Sequence, residues 1–184
     1  ISFYGKFGGA CGNLNAHKCS YPNIDWINFG EKFLKSFGLI RSKLTTQIDN
    51  YDNLSVLFDC LKRINTILID FCQDIWLYIF MDYLQLKINK QEVGSSTMPQ
   101  KVNPINFENA EGNLKLANTL FEFFSRKLPV SRLQRDLTDS TVLRNMGVVF
   151  GHCMIAFDNI ITGLHKLDIN QTKINKDLEK NYIV

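Results

Sequence analysis

From Leu54 onward, apolar residues recur at three- and four-residue steps: Leu57, Phe58, Leu61, Ile64, Leu68, Phe71, Ile75, Tyr78 and Ile79. No Gly or Pro interrupts residues 53–88. The spacing predicts one helix of about 36 residues, roughly 54 Å long. Ile67, Ile69, Trp76, Leu77 and Phe80 make its other faces apolar as well. A helix apolar nearly all round has to be covered, and one this long in a short chain points to an oligomeric bundle.

Other helical patterns flank it. Asp25 opens a short amphipathic helix carrying Trp26, Phe29, Phe33 and Phe37, with Gly38 as its stop. Residues 106–127 form a second long helix, with Phe107, Leu114, Leu120 and Phe124 apolar, Asn106 as candidate cap and Leu128-Pro129 as the end. Gly112 lowers its propensity and allows close helix approach. Residues 131–165 read as a third long helix, in which Gly147, Gly151 and Ala156 would permit tight packing. Asp168-Ile169-Asn170 then breaks the chain before a short charged helix from about Gln171. Residues 1–24, rich in Gly and Asn, and residues 39–52 are irregular. The Gly-rich opening with Lys6 does not have the spacing of a phosphate loop, so a tight connector is expected there.

Composition narrows the class. Of 184 residues, 45% are hydrophobic and 21% charged, as in ordinary globular proteins. A net charge of +3 without a dense Lys/Arg run argues against a nucleic-acid partner. Cys11, Cys19, Cys60, Cys72 and Cys153 are odd in number and lack metal-site spacing, so reduced, mostly packed thiols are expected. No apolar run is read as a membrane span and no signal peptide is visible, which makes the cytoplasm the expected location. The first residue is Ile, and Tyr182-Ile183-Val184 enters an apolar pattern with no helix stop. A fragment of a longer protein is expected.

Between the first two long helices lies a stretch of opposite character, GSSTMPQKVNP at 94–104. Gly94 and Pro99 break helix, Ser95, Ser96 and Thr97 supply hydroxyls, and Lys101 and Asn103 supply donors. Pro104 suits a first helical position, where its missing N–H costs nothing. A polar loop seated on rigid helices is a common place for binding and catalytic groups. A second polar constellation, SRLQRDLTDSTVLRN at 131–145, holds Arg132, Arg135, Arg144, Asp136, Asp139 and Ser140. Arginine is well suited to planar recognition of phosphate and carboxylate, although an ion-paired helix start would use the same residues. Ser140 and Arg144 share a helix face. Arg135 lies about 140° away on an ideal helix, so it joins them only if the chain bends near residues 136–138.

The loop pattern GSSxMPxKxNP resembles the signature of the fumarase/aspartase superfamily, matching at every fixed position. QRDLTDSTVLRN, TTQI at 45–48 and NFENAEGN at 106–113 are similar to its adenylosuccinate lyase family, and the likeness runs along essentially the whole chain. It implies an all-α, elongated long-helix bundle, part of a tetrameric helical core with active sites shared between subunits. Residues 1–167 would be a central bundle domain incomplete on its N-terminal side, and 168–184 the truncated start of a C-terminal helical domain. The implied reaction is β-elimination of fumarate from adenylosuccinate to give AMP, with no metal or organic cofactor. By the same resemblance Ser95 is the base, beside Ser96, while Lys101 and Asn103 handle carboxylate and carbanion charge. Gln47, Ser96, Asn109, Arg135, Ser140 and Arg144 contact the substrate, the last three around its phosphate or nucleotide portion.

The family's general acid, a histidine, is expected in a segment before residue 1. His17, His152 and His165 do not match its motif. Gln100 stands where many members have histidine, at a position without a chemical role. The rivals are another fumarate-releasing lyase, of the argininosuccinate lyase or fumarase type, and a non-catalytic helical scaffold. A scaffold would need none of Ser95, Lys101 and Asn103.

Overall fold

The computed structural model describes residues 2–87 and 103–180. The fold is all-α, with two minimal β pairings among the described residues. The chain divides into two compact units, one formed by 1–62 with 120–147 and the other by 63–119 with 148–184.

In the first unit, β1 (Tyr4–Gly5) runs parallel to β2 (Ile40–Arg41), flanked by α1 (Asn15–Ser20) and α2 (Trp26–Lys35). Asp25 caps α2 as expected, its carboxylate accepting from the Asn28 N–H at 3.1 Å, and Gly38 takes a φ of +73° after the helix. The aromatic stripe of α2 is not a buried face, however. Phe29, Phe33 and Phe37 stay about half exposed and pack on one another, with Phe7 against the first two. Gly30 and Leu34 are the buried residues of this helix. Deeper in the unit, Phe58 meets Phe121 and Phe124, with ring centroids 5.6 and 5.5 Å apart.

The long helix α3 (Asp52–Phe80) begins in this unit and continues into the second. It has 29 residues and stops eight short of the expected end. Asp82 adopts a left-handed φ of 61°, and β3 (Leu84–Leu86) then pairs antiparallel with β4 (Leu167–Ile169). An apolar run therefore serves as strand where helix was expected, because a distant segment satisfies its backbone.

The second unit's core is a cluster of Cys72, Phe107, Ala110, Leu114, Ala156 and Ile160. It joins α3 to α4 (Ile105–Lys127) and α6 (Met146–His165). Buried positions on and just beyond α4 follow a strict 3–4 alternation: Phe107, Ala110, Leu114, Ala117, Phe121, Phe124 and Leu128. The seam passes through Phe121, not through the expected Leu120. Asn106 lies within α4 and does not cap it; its amide donates to Asn159 Oδ1 at 3.0 Å.

The expected third helix is broken. Residues 131–137 are non-helical, α5 (Thr138–Leu143) is short, and α6 restarts after Arg144–Asn145. Gly112, Gly147 and Gly151 face open space among the described residues, so they mediate no close packing there. Gly163 does: a Cβ there would sit 2.7 Å from the Phe107 ring. The stretch Thr138–His165 is long and apolar enough to cross a membrane by length and composition, contrary to expectation. Its apolar residues divide between a buried face, including Val149, Ala156 and Ile160, and an exposed one, including Met154, Ile155 and Ile161. The last helix, α7 (Gln171–Lys180), starts where expected, with Asn170 Oδ1 accepting from the Lys173 N–H at 3.1 Å. All five cysteines are free; Cys72 and Cys153 are buried, while Cys11 and Cys19 are exposed rather than packed.

Gly163→Ala should destabilise the whole protein by about 1–3 kcal/mol, since the fully buried Phe107 ring has nowhere to move. Gly147→Ala, facing open space, should be neutral or slightly stabilising through helix propensity. Urea unfolding of both variants checks the contrast, and equal midpoints would refute it.

Candidate active site

The polar segment 131–145 shows how a helix-like sequence becomes a site. Leu133 takes a left-handed φ of 51° and is almost fully exposed, so the chain turns sharply here. The turn is tied by Asp136. Its Oδ2 accepts from Arg132 Nε at 3.0 Å, its Oδ1 from the Thr138 N–H at 3.0 Å, and its own N–H donates to Ser131 Oγ at 3.1 Å. The Thr138 N–H first, and Arg132 second, hold the Asp136 carboxyl down at about 2. Arg135 is thereby left outside α5, as the phase argument required, and its Nη2 donates to Ser140 Oγ at 3.2 Å. Arg144 sits at the C-cap of α5, exposed and, among the described residues, without an ion pair. An ion-paired helix start would have used Asp139 or another carboxylate of the bundle as its partner. Asp139 is instead buried and bound to Lys127 Nζ at 3.0 Å. Arg135, Ser140 and Arg144 thus share one short segment with both guanidinium groups exposed.

The same unit holds Gln47. Its loop rests on the Gly-rich opening: Gly12 has a φ of +78°, and a Cβ there would lie 2.0 Å from the Thr45 carbonyl oxygen, so only glycine fits. Lys6 is spent on backbone carbonyls, those of Gly9 (3.2 Å) and Gln47, which supports the connector reading over an anion loop. The Gln47 side chain is exposed. His17 packs against the rings of Phe7 and Trp26. Beside this loop, Lys18, Arg41, Lys43 and Glu31 help to line a groove of about 470 Å³.

Tyr51 carries no signal in the sequence. It adopts a left-handed φ of 58°, unusual for a bulky residue. Burial raises its phenol pKa first, followed by the negative charge of Asp139, against the opposing pull of Arg135. No pattern of residue types marks such a position; only the backbone shows it.

In the second unit, Asn103 and Pro104 lead directly into α4. The Asn103 carbonyl accepts from the Ile105 N–H at 2.8 Å, and that of Pro104 from Phe107 and Glu108 at 3.0 and 3.1 Å. Pro104 therefore stands at the helix entrance, where its ring is tolerated. Asn103 borders a small cavity of about 40 Å³ with Lys87 and Lys166 on its wall. Asn109, one turn into α4, is exposed and hydrogen-bonded to Asn113. Ser95, Ser96 and Lys101 lie outside the described residues. Among the described residues, no group of three or more His, Cys, Asp or Glu side chains is placed to hold a metal ion.

The depressed Asp136 pKa has a signed consequence. A carboxylate whose folded value lies below its unfolded one stabilises the native state above the unfolded value, and the contribution is lost as pH falls through the folded value. The stability gap between wild type and Asp136→Asn should be constant above about pH 4 and shrink from 3.8 toward about 2. Urea midpoints against pH test this, and a gap that widens on acidification would contradict it.

Comparison with known proteins bears on the family of the chain. A family model described as "Lyase" matches residues 2–118, and one described as "Adenylosuccinate lyase C-terminal" matches 131–184. An adenylosuccinate lyase of Dictyostelium discoideum is 62% identical over 181 residues, covering 97% of this chain and 39% of the relative. That of Escherichia coli K12 is 50% identical over 184 residues, covering 100% and 40%. That of Haemophilus influenzae is 51% identical over 180 residues, covering 98% and 40%. The chain spans about two fifths of the length of these relatives. With the Lyase model matching residues 2–118, well over half of its length, the chain belongs to that lyase family.

Proposed function

We propose that the whole protein is an adenylosuccinate lyase, releasing fumarate from adenylosuccinate and leaving AMP. The observation that carries this reading is the identity of 62% along 97% of the chain to a relative of that name. The chemistry of the residues supports it. Ser95 removes the Cβ proton next to a carboxylate, a step that needs the serine oxygen to be supported by positive potential. Lys101, Asn103 and the N-terminus of α4 supply that potential where charge builds on the carboxylate. The C–N bond then breaks, the electron pair leaves with the purine nitrogen, and a histidine upstream of residue 1 protonates it. Arg135, Ser140 and Arg144 hold the phosphate; Gln47 and Asn109 complete the binding set, with Ser96 beside the base.

The argininosuccinate lyase and fumarase alternatives fit less well, because they have no use for a phosphate cluster such as Arg135, Ser140 and Arg144. We further propose a cytoplasmic homotetramer with shared active sites, in which residues 168–184 open a C-terminal domain. The exposed apolar residues of α3 (Ile67, Trp76, Leu77, Phe80) and α6 (Met154, Ile155, Ile161) support burial against other subunits.

Two outcomes are expected in the whole protein. Ser95→Ala should lower kcat by roughly 100- to 10,000-fold while substrate still binds, because a base acts mainly in the transition state. A near-normal kcat would remove Ser95 from that role. Arg144→Lys keeps the charge but loses the fork, so KM should rise about ten-fold with an unchanged melting temperature. A large melting shift with unchanged KM would show that Arg144 serves the fold.

A further inference from the structure

The hydrogen bonds that join His152, Asn113 and Asn109 have directions that follow from the backbone carbonyl at one end. Asn113 Nδ2 lies 2.9 Å from the Asn109 backbone carbonyl and 2.8 Å from Asn109 Oδ1. A backbone carbonyl only accepts, so the Asn113 atom facing it is the amide nitrogen, and both its hydrogens are spent on Asn109. Asn113 Oδ1 is then the atom 2.8 Å from His152 Nδ1. An amide oxygen only accepts, so Nδ1 of His152 carries the proton. The order runs from His152 on α6, through Asn113, to Asn109 one turn earlier on α4. His152 and Asn113 are half-buried, while Asn109 is exposed.

The consequence falls on the exposed end. With Oδ1 of Asn109 held by Asn113, its amide cannot turn over without breaking that bond. Its two N–H donors have no partner among the described residues, on a residue that is itself exposed. We propose that His152 and Asn113 are positioning residues that fix Asn109 as a hydrogen-bond donor to an acceptor atom of the substrate, an inference that rests on the proposed role of Asn109 in binding. An unrestrained asparagine would divide its time between presenting oxygen and presenting nitrogen, and an anionic substrate rewards only the second. Neither positioning residue touches the reacting atoms, so the effect belongs in KM more than in kcat.

The test is a set of steady-state measurements on the whole protein with adenylosuccinate, each paired with a melting temperature. His152→Phe keeps a ring and removes the donor; KM should rise about five-fold with kcat nearly unchanged. His152→Asn restores an amide donor at the Nδ1 position and should bring KM back toward wild type. Asn113→Asp guards against a folding failure in the first variant. Its carboxylate cannot donate, so it draws the Asn109 amide nitrogen inward, and KM should rise as well. In an Asn109→Ala background, His152→Phe should add nothing. If Asn109→Ala alone leaves KM unchanged, the binding role of Asn109 fails and the positioning role with it. If Asn109→Ala raises KM but His152→Phe and Asn113→Asp do not, only the positioning role is overturned. If His152→Phe raises KM equally in both backgrounds and lowers the melting temperature, the bonds merely staple α4 to α6, and the inference is wrong.

Discussion

The structure depends most on the seam of α4. Seven residues from Phe107 to Leu128, spaced alternately three and four apart, are each no more than 1% exposed. Such a stripe repeats every three and a half residues, the period at which one helix face keeps meeting its neighbours over many turns. A buried Phe or Leu stabilises by about 1.5–3 kcal/mol, so the seam holds α4 in one rotational setting. That setting decides the chemistry. With Phe107, Ala110 and Leu114 inward, Asn109 and Asn113 fall on the polar side. The entrance at Asn103-Pro104 is fixed one turn before the first buried residue. Asn103-Pro104 thus leads into a helix whose first turns are seated by Phe107, Ala110 and Leu114 in the core of the second unit.

A second constraint governs the arginines. Asp136 gathers Arg132, Thr138 and Ser131 into a turn, and Leu133 pays for that turn with a left-handed backbone. Lys127 meanwhile neutralises the buried Asp139. Two carboxylates are therefore committed to structure, which leaves Arg135 and Arg144 exposed for an anion. A regular helix through the same residues would have turned Arg135 away from Ser140.

Much of this was legible in the sequence, and the failures share a cause. Periodicity identified α3 and α4, the break at Asp168-Ile169-Asn170 placed the start of α7, and the Asp25 cap and the Gly38 stop of α2 were visible as residue types. The need for a bend before Ser140 followed from helix phase alone. Periodicity reports which positions are apolar, however, and not what covers them. Phe29, Phe33 and Phe37 have helical spacing yet remain half exposed. Leu84–Leu86 continues the apolar run of α3 but is claimed by Leu167–Ile169, some eighty residues away. The glycines fail in the same way: Gly112, Gly147 and Gly151 looked like close-packing sites, whereas Gly163 is the one pressed against a ring. Tyr51 and the order of the His152–Asn113–Asn109 bonds have no sequence signal, since both arise from backbone angles and from contacts between separate elements.

The most direct test of the central claim is product analysis with the purified whole protein. Adenylosuccinate, argininosuccinate and malate are each supplied, and fumarate and the second product are quantified. Fumarate and AMP are expected in equal amounts from adenylosuccinate, with no fumarate from the other two. Fumarate from argininosuccinate or malate without AMP formation from adenylosuccinate would contradict it.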